Sequence, residues 1–203
     1  MLRKTLLATF CASALLTATA PVFAAPTQDI KSEQGTLELT PIVKGLEHPW
    51  ALAFLPDRQG MLVTERPGNL RLVSADGKLS GPLNGVPQVW AKGQGGLLDV
   101  VLSPDFKQDR MVYLSYAEGG GEGGKAGTAV GRGRLSEDLT AIKDFRVIFR
   151  QEPKLSVGNH FGSRLVFDRD GYLFITLSAV RSSDNRPRPT AVPALPPSPP
   201  PSA

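Results

Sequence analysis

His160 is the residue best placed to do chemistry. It lies in the run Val157-Gly158-Asn159-His160-Phe161-Gly162-Ser163-Arg164-Leu165. Glycines on both sides let the backbone approach a ligand closely, and Asn159 and Ser163 add hydrogen-bonding groups. An imidazole that titrates near about 6.5 is suited to take a proton from an alcohol at neutral pH, the work of a general base. A turn histidine bonded to its local backbone is the alternative reading of the same residues. No second histidine or carboxylate stands at metal-ligand spacing from it, so a zinc site is not indicated. Gln94, in Lys92-Gly93-Gln94-Gly95-Gly96-Leu97-Leu98, could bond sugar-type hydroxyls through both its oxygen and its amide. Alone it is an ordinary loop residue.

Two other segments invite a chemical reading and do not sustain it. Gly119, Gly124 and Lys125 fall at the G-x-x-x-x-G-K spacing of a phosphate loop. Ala126 stands where Ser or Thr is needed, and Thr128 to Leu135 reads as a strand where a helix should follow, so nucleotide binding is not expected. This is a hairpin loop. His48, in Glu47-His48-Pro49-Trp50, reads as a surface turn residue.

The elements that must position these residues are strands. Ala51 to Phe54, Gly60 to Glu65 and Leu70 to Val73 alternate or run apolar, with turn residues between them, and Asp76-Gly77 is a hairpin signal. No long window shows a helical apolar stripe. The pattern also repeats. LAFLPDRQGMLVTE, VVLSPDFKQDRMVYLS and LVFDRDGYLFITLS share one template of strand, aspartate-centred turn and strand, with Asp57, Asp105 and Asp170 aligned. The intervals are 48 and 65 residues, the longer one holding the glycine-rich loop. Repeats of about 40–50 residues, each with four short strands, favour β-propeller blades over a sandwich of similar hairpins. The expected fold is therefore all-β, a propeller of which about two and a half blades are present, although closure takes about 4–8.

The ends differ from the middle. Residues 1–24 read as a secretory signal, with Arg3 and Lys4 before a short apolar run and Val22-Phe23-Ala24 as the cleavage pattern. Cys11 lies inside it, so a mature chain has no cysteine, which excludes disulfides and thiolate chemistry. Arg3 and Lys4 are its only charges, so cleavage takes the net charge from +4 to +2. The remaining bases are scattered, which argues against nucleic acid, and no membrane association is expected after cleavage. A periplasmic or secreted location follows. Of the 21 glycines none lies beyond Gly171, whereas eight of the 18 prolines fall after residue 180. The expected organisation is a signal over 1–24, a partial propeller over 25–177, and a proline-rich disordered tail over 178–203 that reads as out of frame.

Four ordered motifs carry a resemblance. They are Gly45-Leu46-Glu47-His48-Pro49-Trp50-Ala51-Leu52-Ala53-Phe54-Leu55-Pro56-Asp57, then Val63-Thr64-Glu65-Arg66-Pro67-Gly68. Gly93 to Leu98 with Ser103-Pro104-Asp105-Phe106 follows, and Gly158 to Leu165 completes the set. Over Gly35 to Leu177 the chain resembles the soluble quinoprotein glucose/sorbosone dehydrogenases, whose periplasmic members include PQQ-dependent aldose sugar dehydrogenases. The resemblance implies a six-bladed propeller that binds PQQ and Ca²⁺, and oxidation of aldose sugars at the anomeric carbon to lactones. By this resemblance His160 is the catalytic base, and Gln94 and Asn159 are substrate-binding residues. The family's cofactor and calcium ligands belong to its later half, so the cofactor-binding residues are unknown here, no metal ligand is assigned, and the expectation for this chain is inactivity. The alternative is a non-catalytic propeller fragment that acts as a binding or scaffold module.

Overall fold

Alternation with a period of two puts every second side chain of a strand on the same face, so an apolar series can be buried on one side or on both. A computed structural model shows how these strands are arranged; it describes residues 27–120, 124–156 and 158–177, with the backbone of 190–193. The signal expected over 1–24 and most of the proline-rich segment lie outside the described residues. The chain divides into two compact units, 1–42 and 43–203. The described part of the first is an exposed hairpin, β1 (Gln28–Ser32) and β2 (Gly35–Leu39), paired antiparallel with Ser32 opposite Gly35.

In the second unit three antiparallel meanders follow one another. The first sheet runs β3 (Pro49–Phe54), β4 (Met61–Glu65), β5 (Asn69–Val73) and β6 (Leu79–Pro82), in sequence order. The second runs β7 (Leu97–Leu102), β8 (Met111–Gly119), β9 (Ala126–Leu135) and β10 (Ile142–Arg150). The third holds β11 (Leu165–Phe167), β12 (Tyr172–Ile175) and β13 (Thr190–Pro193). Two complete four-stranded sheets and a three-stranded one are the blade arrangement expected from the repeats. The only described α-helix is the single turn α1 (Phe106–Asp109).

The aligned aspartates mark the same place in each sheet. Asp57 lies between β3 and β4, Asp105 between β7 and β8, and Asp170 between β11 and β12. The Asp76-Gly77 turn closes the β5–β6 hairpin, with the Ser74 N–H donating to the Lys78 carbonyl at 2.9 Å. Thr190–Pro193 falls where disorder is expected from the prolines. It pairs with β12 as an edge strand, Ile175 opposite Thr190, which is the sheet position where proline is tolerated.

The core forms between the sheets. Leu62 and Leu70 of the first sheet meet Leu97, Val100, Val112, Leu114 and Tyr116 of the second. Tyr113 and Val130, on the opposite face of the second sheet, meet Leu165, Leu173 and Ile175 of the third. A smaller cluster of Leu98, Ala117, Ala126 and Phe161, with Trp90 against it, lies under the His160 loop. The outer faces of the stack stay open. Trp50, Leu52 and Phe54 are exposed on β3, and Val166, Tyr172 and Phe174 on β11 and β12.

Candidate functional site

The loop from Gly158 to Arg164 enters β11 and carries His160. A loop without secondary structure must satisfy its backbone groups elsewhere, and here the second sheet supplies most of the partners. The Thr128 hydroxyl donates to the Phe161 carbonyl at 2.7 Å, and the Ser115 hydroxyl to the Ser163 carbonyl at 2.6 Å. Both hydroxyls are buried. The Leu165 N–H donates to Asp99 Oδ2 at 2.7 Å. From the third sheet's side, the Ser163 N–H donates to the Thr176 carbonyl at 2.7 Å and the Arg164 N–H to Thr176 Oγ1 at 2.9 Å.

Gln94 completes the fastening. Its Oε1 accepts the His160 N–H at 2.7 Å, and its own N–H donates to the Gly158 carbonyl at 2.8 Å. The two loops are in close contact at this point. A Cβ on Gly93, whose φ is +55°, would sit 2.5 Å from the Gly158 carbonyl oxygen. Arg66 supports the Gln94 loop from below, with Nη1 donating to the Gly93 carbonyl at 3.0 Å. The structure therefore brings His160 and Gln94 together, with Asn159 exposed beside the histidine.

Phe161 anchors the loop. It is 7% exposed and tilts against Trp90 with ring centroids 6.1 Å apart. Burying a phenylalanine contributes about 1.5–3 kcal/mol, against about 1 kcal/mol for each neutral hydrogen bond. Taken together the hydrogen bonds thus contribute at least as much as this one packed ring, and they also select the loop's path. That path is costly: His160 and Ser163 have φ of 58° and 73°, left-handed values unusual for residues with a side chain.

Beside Gly162 a cleft of about 350 Å³ is lined by Pro49, Trp50, Asp99 and Arg164. Asp99 is only 2% exposed, and its carboxylate accepts from the Val100 N–H at 3.0 Å, Arg164 Nη1 at 2.9 Å and Leu165 N–H. His48 is exposed in the turn that leads into the cleft-lining Pro49 and Trp50, and its carbonyl accepts the Arg66 N–H at 3.0 Å.

The family model described as Glucose / Sorbosone dehydrogenase matches residues 46–191. The chain belongs to the glucose/sorbosone dehydrogenase family. Aldose sugar dehydrogenase YliI of Escherichia coli (strain K12) is 65% identical over 146 residues, 72% of this chain and 38% of that protein. Quinoprotein glucose dehydrogenase B of Acinetobacter calcoaceticus is 31% identical over 102 residues, 49% of this chain and 21% of that one. In structure the chain is similar to the apo-form of the soluble aldose sugar dehydrogenase from Escherichia coli, with a TM-score of 0.63 and 68% identity over 65% of this chain and 38% of the other. It is also similar to the PQQ-bound aldose sugar dehydrogenase from Streptomyces coelicolor, with a TM-score of 0.56 and 28% identity, covering 76% of this chain and 42% of that one. The three sheets are blades of the propeller these glucose/sorbosone dehydrogenases share, and the chain spans about two-fifths or less of their length.

Of the residues that hold the His160 loop, Gln94 lies within a motif of this family, whereas Asp99, Ser115 and Thr128 lie outside those motifs. Asp99 could have been found as a lone carboxylate inside Leu97-Leu98-Asp99-Val100-Val101-Leu102, because a charge in an apolar strand must find partners when buried. Ser115 and Thr128 read only as polar interruptions of apolar strands.

Proposed function

We propose that this chain carries the sugar-facing, proton-accepting side of a PQQ-dependent aldose dehydrogenase site, for oxidation of an aldose at its anomeric carbon to a lactone. The observation that carries the reading is the placement of an exposed histidine, fixed by its own main chain to Gln94 at 2.7 Å, within a family member. His160 would take the proton of the anomeric hydroxyl, and Gln94 and Asn159 would orient the sugar through their amides. PQQ is the redox partner suggested by the family and by the PQQ-bound neighbour.

The residues described do not assemble a cofactor pocket. Among them no group of three or more His, Cys, Asp or Glu side chains could hold a metal ion. The two guanidiniums near the His160 loop are engaged within the chain, Arg66 on the Gly93 carbonyl and Arg164 on Asp99. These residues fit neither a planar tricarboxylate nor a calcium ion, and the chain by itself is expected to be inactive. No described helix is long and apolar enough to cross a membrane. The leader-like residues 1–24 support a periplasmic or secreted location.

The test replaces the matching part of the Escherichia coli relative with residues 46–177 of this chain. PQQ and calcium are added, and dye reduction with glucose is followed. Turnover that falls by about 100-fold or more in His160→Ala supports the reading, and turnover indifferent to that substitution sinks it. The unfused chain should give no dye reduction; reduction that depends on His160 would overturn its inactivity.

A second reading, a non-catalytic binding or scaffold module, is favoured by the open apolar faces, where Phe54 is 70% and Leu52 51% exposed. Sizing the purified chain separates the two. A monodisperse oligomer without sugar oxidation supports the module, and aggregation counts against it.

A further inference from the structure

We propose that Gln94 is the positioning residue for His160: through one carboxamide oxygen it sets the left-handed backbone of the histidine, and it keeps only its amide hydrogens for a sugar. The inference rests on reading His160 as the base. A backbone N–H can only donate, so the group facing the His160 N–H at 2.7 Å must be the oxygen of the Gln94 carboxamide. That contact fixes the rotation of the whole amide. The same residue grips the other loop a second time, its N–H donating to the Gly158 carbonyl at 2.8 Å. Gly158 and His160 are two residues apart, so one residue spans the entry to the left-handed turn.

The energetics favour a dedicated clamp. A left-handed φ on a residue with a side chain costs of the order of 1–3 kcal/mol and persists only when neighbours over-determine it. His160, at φ 58°, is exposed, so packing of its ring does not impose the conformation. Its N–H bond to Gln94 crosses 66 residues of sequence and joins the loop before β7 to the loop before β11. With the oxygen engaged there, the two hydrogens on Nε2 take no partner among the described residues. They are free to donate to a ring or hydroxyl oxygen of a sugar. This narrows the expectation from sequence, in which both ends of the amide contact the ligand.

Amide hydrogen exchange on the full chain, followed by NMR, tests the role. Gln94→Leu keeps the bulk and removes the acceptor. Gln94→Asn keeps the amide but is one methylene too short. Gln94→Glu keeps both reach and acceptor. The His160 amide is expected to exchange about 10-fold faster in the Leu and Asn variants, and at the original rate in the Glu variant. Exchange of Leu114 in β8 should stay unchanged in all three, which separates a local release from general unfolding. An unchanged His160 amide in Gln94→Leu, or equal acceleration in Gln94→Glu, overturns the proposal. Should the Leu variant fail to fold, the Asn and Glu pair decides it. These measurements need no turnover. A normal exchange pattern with no His160-dependent sugar oxidation would remove the base and leave the positioning contact standing.

Discussion

The carboxylate of Asp99, on β7 of the second blade, accepts the N–H of Leu165 at the start of the third blade at 2.7 Å. The bond joins two blades and sets where the His160 loop ends. A charge this deeply buried is tolerated because Val100 and Arg164 share it. Asp99→Ala leaves three donors without their acceptor, two of them on the backbone. We expect a loss of about 3 kcal/mol in unfolding free energy by denaturant titration, with faster amide exchange at Leu165.

Gly93→Ala should separate the two loops. Its Cβ would need to occupy space 2.5 Å from the Gly158 carbonyl oxygen, and the position has a left-handed φ of +55°. Backbone atoms on both sides cannot rotate away. A cost of about 1–3 kcal/mol is expected, seen as a lower Tm together with loss of protection at the Gln94 amide.

Glu65 makes stability depend on acid. Burial raises its pKa, but the Glu47 N–H at 2.7 Å, Asn69 at 3.0 Å and Arg71 outweigh this, and the net shift is below the ordinary value of 4.5. A carboxyl depressed in the folded state stabilises fully above its unfolded pKa and loses that contribution as pH falls through the folded value. Wild-type stability should therefore drop below about pH 4.5. In Glu65→Gln this drop should be smaller, measured as Tm against pH.

Tyr116 gives a spectroscopic mark of the core. Burial, and next the nearby Glu118 carboxylate, push its phenol up to about 12. The chain has three tyrosines, so alkaline titration by ultraviolet absorbance should show a late step. Tyr116→Phe should remove that step alone.

The blades were legible because their cause is local. The runs around Leu62 and Val63, and around Val112 and Tyr113, are apolar at successive positions and are buried on both faces of their strands, and Asp57, Asp105 and Asp170 recur at the same turn. The β13 pairing was not legible, because Thr190 to Pro193 lies in a proline-rich stretch whose composition opposes strand formation. At the site, His160, Gln94 and Asn159 stood out through glycine-rich surroundings and the family motifs. Their connection did not. Hydrogen bonds from Gln94 to His160 and from Thr128 to Phe161 join residues 66 and 33 positions apart, and such pairs leave no period in one sequence. Nor does a serine such as Ser115 announce that its hydroxyl will serve a distant carbonyl.

The stitching of the His160 loop also has a kinetic side. Its partners, Gln94, Asp99, Ser115 and Thr128, all precede it in the chain, and Thr176 follows. The histidine's geometry must therefore await both the second sheet and the outgoing strand. Contacts of such long sequence separation pay their loop-closure entropy before any reward arrives, which makes them late events. The second blade can therefore form before the His160 loop is in place, whereas the left-handed turn has to wait for Thr176 to dock.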